Sequence, residues 1–433
     1  MPASKRRGPS AALPSPERTT KGNSQPAKRN PLQQLRVSDL RGAARLAAKA
    51  TTGISRVAEG VHQSVLGTLG LPGGAQPGQA RGLTGLVYQS IRGVTRLVDA
   101  GLQAGLARLE PFFEPTLPAT QVQWEREAVL AALNGVMGDR LLRDDNPLCT
   151  RMGFYQHGLP LDLPSLARHG GATGKVLVLV HGLCMNDLQW LHEGHDHGAH
   201  LAQALGYTPV NLRYNTGLHT STNGAELSAQ LESLLAAWPV PVTDLSVLAH
   251  SMGGLVARSA CHQAAAAGQG WLAHLRHLVC LGTPHHGAPL EKAGHWVDAL
   301  LGSTVYSRPF ARLAQLRSAG ITDLRHGHVL EADWHGRDRF GAHEDERIPV
   351  PLPAGVACYA VAATLAARRS RAAERLVGDG LVPLRSALGI HDDRALTLGF
   401  AKGQQAVFHR LGHLGLLGDA EVAQQLEQWL RPA

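Results

Sequence analysis

The chain has 433 residues, with 42 Lys and Arg against 34 Asp and Glu for a formal charge of +8, and 44% of its residues are hydrophobic. That length supplies an apolar core of ordinary size, no run approaches the roughly 20 apolar residues of a membrane-crossing helix, and the basic N-terminus lacks the apolar stretch of a secretory signal. Five cysteines, an odd number without paired spacing, point to reduced thiols and a cytoplasmic setting, with membrane association left to the N-terminal segments.

Residues 1–36 hold Lys5, Arg6, Arg7, Arg18, Lys21, Lys28, Arg29 and Arg36 against Glu17 alone, so eight positive charges less one place +7 of the +8 in this tail. The basic character therefore belongs to a tail, and the remaining chain is near neutral. Rich in Pro, Ser and Gln, the tail cannot bury enough apolar surface to offset ordering and is expected to be disordered. Such a tail either extends into solvent or meets an anionic surface. Residues 37–120 are expected to form a helical accessory region, with two helical stretches flanking the breaker Leu71-Pro72-Gly73-Gly74-Ala75-Gln76-Pro77-Gly78. The second stretch puts Leu83, Leu86, Val87, Ile91, Val94, Leu97, Val98, Leu102, Leu106 and Leu109 on one face. That stripe can dock on the rest of the protein, pair with the first helix, or lie on a lipid surface. Peripheral membrane contact through residues 1–109 is thus one expectation, and nucleic acid is the disfavoured partner.

From residue 121 to 433 the pattern is that of a catalytic domain in which strands alternate with helices. Lys175-Val176-Leu177-Val178-Leu179-Val180 reads as a strand buried on both faces and ends in His181-Gly182-Leu183-Cys184. Just beyond it, His192, His195, Asp196, His197 and His200 are dense enough to suggest zinc, yet Gly194 and Gly198 fit a polar rim or a helix start better. No metal or cofactor is expected. Pro209 to Tyr214 reads as a strand, Ala225 to Trp238 as an amphipathic helix, Leu245 to Leu248 and His277 to Leu281 as further strands.

Ala249-His250-Ser251-Met252-Gly253-Gly254 follows one of these strands and precedes a helix-like stretch. A serine hydroxyl becomes a useful nucleophile when a sharp strand-to-helix turn presents its Oγ, and such a turn needs small residues two before and two after it. Ala249 and Gly253 meet that need, although glycine is usual at the first position. Ser251 is the expected nucleophile. The elbow supplies one oxyanion donor, the Met252 amide, and the loop after Val180 should supply the second, assigned to Leu183 with Cys184 as the alternative. An ordinary Ser-Gly turn and an ordinary strand-loop junction are the plainer readings of these two motifs.

Residues 290–349 break the alternation, carry Trp296, Tyr306, Phe310 and Trp334, and are expected to form either a cap over the strand ends or helices that merely pack. Ala354 to Val361 then reads as a strand. Gly378-Asp379-Gly380-Leu381-Val382-Pro383 offers an acid between glycines, with Asp392 and Asp393 as rivals. Arg410-Leu411-Gly412-His413-Leu414-Gly415 offers a histidine on a glycine-flanked loop, with His409 as a rival on a structured element. Glu421 to Leu430 reads as a closing helix. His413 would take the serine proton, and Asp379 would hold the imidazole in the required tautomer.

The segments Leu-Val-His-Gly-Leu, Ala-His-Ser-Met-Gly-Gly, Leu281-Gly282-Thr283-Pro284-His285-His286-Gly287 and Gly-Asp-Gly-Leu-Val-Pro together resemble the α/β-hydrolase superfamily, most of all bacterial lipases and the GPI inositol-deacylase-like serine esterases. The resemblance runs from about Pro147 to the C-terminus. It implies a mostly parallel central sheet with helices on both faces and ester hydrolysis without a cofactor, to which the pattern adds an expected helical cap insertion and an N-terminal helical extension. The expected function is that of a serine carboxylic ester hydrolase acting on an ester or lipid-like substrate through Ser251, His413 and Asp379. Acyl transfer or thioester hydrolysis at the same site, and a lipid-surface or nucleic-acid binding protein with a vestigial hydrolase domain, are the alternatives.

Overall fold

Lys175–Val180 is one of the two central strands of an eight-stranded sheet, in a computed structural model that describes residues 38–49, 124–288, 317–338, 345–367 and 378–432. The expected tail of residues 1–36, the second accessory helix and residues 290–316 of the expected cap lie outside the described residues. The strands are β1 (Gly153–Gln156), β2 (Leu159–Pro160), β3 (Lys175–Val180), β4 (Thr208–Arg213), β5 (Asp244–His250), β6 (Leu275–Leu281), β7 (Ala357–Thr364) and β8 (Gln405–His409). Their order is β2-β1-β4-β3-β5-β6-β7-β8. β1 runs antiparallel to β2 and β4, and every pairing from β4 to β8 is parallel. This is the expected α/β-hydrolase architecture, with helices on both faces and the strand ends carrying the loops.

The helices are α1 (residues 38–49), α2 (Trp124–Arg143), α3 (Leu163–Arg168), α4 (His197–Leu205), α5 (Thr220–Ala236), α6 (Met252–Ala267), α7 (Ala319–His326), α8 (Leu384–Ala387) and α9 (Ala420–Leu430). Alternation along β3 explains its unbroken apolar run. Val176, Val178 and Val180 face a core with Leu227, Leu231 and Leu234 of α5 and Val256, Ala257 and Ala260 of α6. Leu177 and Leu179 face the opposite core with Leu201 of α4 and Val422, Leu426 and Leu430 of α9. A strand sandwiched between two helical layers has no polar face to show.

Helix α5 starts five residues before the expected Ala225, in a Thr-Ser-Thr-Asn-Gly stretch of poor helix propensity. Tertiary packing overrides propensity there. Asn223 Nδ2 donates to Asn215 O at 3.0 Å, and a side chain at Gly224 would lie 2.5 Å from Ser259 Cβ of α6, so glycine lets the two helices close together. Strand β7 starts three residues after the expected Ala354, because Gly355 turns the chain at φ 74°. The β1–β2 hairpin was not expected; its two-residue turn, His157-Gly158, takes the positive φ values of 52° and 78° that tight hairpins require.

The two helices before the sheet are tied to each other and to the turn that follows α2. Asp39 of α1 pairs with Arg126 of α2 at 2.7 Å, Lys49 pairs with Asp144 at 2.5 Å, and Asn146 Nδ2 donates to Gly42 O at 3.1 Å. Among the described residues no helix is long and apolar enough to cross a membrane, and all five cysteines are free.

Candidate active site

Ser251 sits at the junction of β5 and α6 with φ 56° and ψ −124°, a backbone conformation that costs an L-residue on the order of 1–3 kcal/mol and persists only where its surroundings enforce it. Two features enforce it. The Ser251 amide donates to Leu281 O at 2.8 Å, and α6 runs so close under β3 that a Cβ at Gly253 would lie 2.7 Å from His181 O and nearer still to Val180 O. Ala249 is fully buried, so the methyl group that departs from glycine fits the packing. Oγ of Ser251 hydrogen-bonds to no described residue, His413 included, although Ser251 is only 1% exposed.

Asp379 and His413 are brought together although 34 residues separate them. His413 Nδ1 donates to Asp379 Oδ2 at 2.7 Å, with both side chains 1% exposed. Asp379 Oδ1 accepts from the Leu381 amide at 2.9 Å and the Val382 amide at 2.7 Å, so the carboxylate is fixed by its own turn before it meets the imidazole. That turn needs its glycines: Gly378 has φ 51°, and a Cβ there would press on Val382 O and lie 3.0 Å from Pro383 Cα. The His413 amide donates to Asp379 O at 3.1 Å, which locks the two loops backbone to backbone as well as side chain to side chain. With Nδ1 committed to the carboxylate, the lone pair of the ring lies on Nε2.

His413 lies beside the elbow. Its ring centroid is 4.7 Å from that of His250, the residue before Ser251, and a Cβ at Gly282 would lie 3.1 Å from its Cε1. His250 Nε2 donates to His413 O at 3.2 Å, while burial and the neighbouring His413 push its pKa well below the usual imidazole value. The strand that leads into Ser251 is thereby tied to the backbone of the histidine loop. The rivals fall elsewhere: Asp392 is exposed and pairs with Arg385 at 2.6 Å, and Asp393 caps its own turn to Ala395 N at 2.9 Å. His409 is the last residue of β8, on a structured element as expected.

The loop after β3 orients its peptides. Gly182 O accepts from His181 Nδ1 at 3.0 Å and from the Met185 amide at 3.3 Å. Because the Gly182–Leu183 peptide is trans and planar, its N–H faces away from those bonds, and among the described residues it has no acceptor. The Cys184 amide, by contrast, donates to Thr216 Oγ1 at 3.1 Å. Gly182 itself abuts the elbow, since a Cβ there would lie 2.9 Å from Ser251 Cβ. Met252 opens α6, where a first-turn amide has no intrahelical acceptor.

A domain of unknown function, DUF7379, matches residues 154–324, which is less than half of the chain. No curated protein matches it in sequence. Among solved structures, the mature lipase of Bacillus licheniformis is 18% identical with a TM-score of 0.36, over 56% of this chain and 86% of that one. An esterase of Pyrococcus furiosus is 12% identical with a TM-score of 0.34, over 60% and 83%. A lipase-esterase related protein of Clostridium acetobutylicum is 12% identical with a TM-score of 0.32, over 60% and 95%. With identities and scores this low, the fold rests on the sheet itself and not on these likenesses.

The histidine cluster past the β3 loop is used internally. Asp196 caps α4, its Oδ1 accepting from Ala199 N at 2.9 Å. His197 Nε2 donates to Leu416 O at 2.9 Å, which leaves its Nδ1 to accept from His195 Nε2 at 3.0 Å. His200 Nε2 meets Glu427 at 3.0 Å. Leu416 belongs to the short turn that follows His413, so His197 braces the histidine loop from below; burial pushes its pKa down to about 4. Among the described residues no group of three or more His, Cys, Asp or Glu could hold a metal ion.

Sequence reasoning missed three contributors. Thr216 and His250 hold the loop after β3 and the His413 loop, and only His250, inside the elbow motif, carries any signal in the sequence. The third is α7 within the expected cap. It buries Ile321 and Leu324 in a core with Met252 and Leu183, and Ser318, its cap, donates to Gly135 O at 2.6 Å. This part of the segment packs against the elbow.

Proposed function

We propose that the protein is a serine carboxylic ester hydrolase of lipase or esterase character. The observation that carries this reading is the buried 2.7 Å Asp379–His413 pair, packed beside a strained elbow that presents Ser251. In the reaction, His413 Nε2 accepts the Ser251 proton as Oγ attacks the ester carbonyl. The Met252 and Leu183 amides receive the developing oxyanion. His413 then protonates the leaving alcohol, and water repeats the sequence on the acyl-enzyme. Asp379 holds the Nδ1–H tautomer and stabilises the imidazolium between the two proton transfers. The absence of a Ser251–His413 hydrogen bond is compatible with this scheme, since such bonds often tighten only with substrate in place.

Ser251, Asp379 and His413 are at most 3% exposed, so substrate reaches Oγ only after covering residues move. Residues 290–349 are the cap proposed to do this and to shape the acyl pocket. An ester or lipid-like small molecule is the proposed substrate class, with residues 1–109 bringing the protein to a lipid surface. The test is hydrolysis of p-nitrophenyl esters from acetate to palmitate by the full chain. Ser251→Ala and His413→Ala should each lower kcat by about 10⁴ to 10⁶. Wild-type protein that is folded yet no faster than either variant on every acyl length would exclude the reading.

A further inference from the structure

Helix α2 precedes the sheet and belongs to no strand-helix unit, yet it grips the loop after β3 at both ends. Cys184 in that loop has φ 58°, a left-handed conformation disfavoured for a residue with a Cβ, so its surroundings must hold it there. Gly135 of α2 supplies the surroundings. A Cβ on Gly135 would lie 2.9 Å from Cys184 Cα, 3.0 Å from its N, and closer still to its Sγ. The same stretch of helix seats the loop that accepts the Cys184 amide: Asn215 Nδ2 donates to Gly138 O at 3.1 Å, and a Cβ at Gly217 would lie 2.6 Å from Gly138 N. Thr216 Oγ1, between these two residues, is the acceptor.

Close approach is possible because α2 is kinked at Met137, with φ −143° and ψ 21°. At the downstream end of the loop, Glu127 of α2 pairs with Arg213 at 2.7 Å, and Arg213 pairs at 2.5 Å with Asp187, whose side chain is fully buried in the turn that begins two residues after Met185.

We infer that α2 is a positioning element of the oxyanion hole, with Gly135 and Thr216 setting the Cys184 backbone and through it the Leu183 amide. The inference rests on the proposed esterase reading and adds to it a helix from outside the sheet. Gly135 and Thr216 do not touch substrate. They fix the peptide that does.

The test uses the full chain carrying Gly135→Ala, and separately Thr216→Val, which keeps the volume but removes the acceptor of the Cys184 amide. Both are assayed with p-nitrophenyl butyrate and with a fluorophosphonate, because phosphonylation builds negative charge in the same hole. Each variant should lower kcat and the phosphonylation rate in parallel by about 10- to 100-fold, with KM changed less than about threefold. Gly135→Ala combined with Cys184→Gly, which removes Sγ and the backbone strain, should recover part of the loss. Arg143→Ala, at an exposed position of the same helix, should match wild type. If Gly135→Ala does not fold, Thr216→Val carries the test. Active, folded variants with wild-type kcat and labelling rate would overturn the inference alone, as would equal losses in kcat and 1/KM. A wild-type chain that neither hydrolyses nor labels would overturn the esterase reading with it.

Discussion

Replacing Asp379 by asparagine changes one atom and inverts a proton. Oδ1 of Asp379 accepts from two backbone amides, Leu381 N at 2.9 Å and Val382 N at 2.7 Å, so in the variant the carboxamide oxygen must stay there. The NH2 group then faces His413 Nδ1, which sits 2.7 Å from Oδ2 in the wild type. Two donors cannot face each other, so the ring takes its other tautomer and carries its proton on Nε2. An Nε2–H cannot accept the Ser251 proton. Loss of the correct tautomer in a Ser-His-Asp arrangement lowers kcat by about 10⁴, which is about 5 kcal/mol of barrier. Stability should fall by no more than about 1.5–3 kcal/mol, the value of one charge-assisted hydrogen bond, because a neutral bond replaces it and both buried amides keep their acceptor. Steady-state hydrolysis of p-nitrophenyl butyrate alongside a urea melt reads both quantities. A folded Asp379→Asn variant within about tenfold of wild-type kcat would refute the orienting role of Asp379.

Four further outcomes follow from the packing. Gly253→Ala should destabilise the chain by about 1–3 kcal/mol in urea unfolding, since its Cβ meets two backbone carbonyls that cannot rotate away; Ala249→Gly should retain activity, and its loss would mean the elbow is tighter than the buried methyl indicates. His181 and His197, pushed down by burial to about 3 and about 4, stay neutral in the fold while the unfolded chain protonates near 6.5. The unfolded state therefore binds more protons below that pH, so stability falls as pH drops from about 6.5 toward about 4, with His197 alone contributing on the order of 3 kcal/mol. Thermal melting at pH 7.5 and pH 5 checks this, and identical midpoints would contradict it. Asp323, fully buried, accepts from Thr220 N at 2.8 Å and pairs with His219 and His328 at 3.0 and 3.2 Å; although burial raises its pKa, these partners hold it below the usual carboxylate range. Asp323→Asn should cost about 2 kcal/mol or more at neutral pH, a difference that narrows only as acidification protonates the wild-type carboxyl, and melts of the pair across pH read it.

The parts of this architecture that were legible in the sequence are those in which one local rule decides the outcome. β3 reads as a doubly buried strand because every residue from Val176 to Val180 is apolar, and the elbow reads from Ala249 and Gly253 because only small residues fit under it. Asp379 stood out from Asp392 and Asp393 by its two glycines, which its turn requires. What was not legible depends on distant segments meeting. Nothing in Asn134-Gly135-Val136-Met137-Gly138 announces a kink that brings Gly135 onto Cys184, and Thr216 accepts the Cys184 amide only because α2 seats its loop. The start of α5 was missed for the same reason, its weak helix formers being held by Asn215 and α6.

Every step of the proposed reaction requires Ser251 to be an activated nucleophile. Incubating the full chain with a fluorophosphonate and measuring intact mass tests that most directly. One adduct per chain, mapped to Ser251 and absent from Ser251→Ala, is the predicted result; a folded wild-type chain without an adduct, or one whose adduct persists in Ser251→Ala, would contradict it.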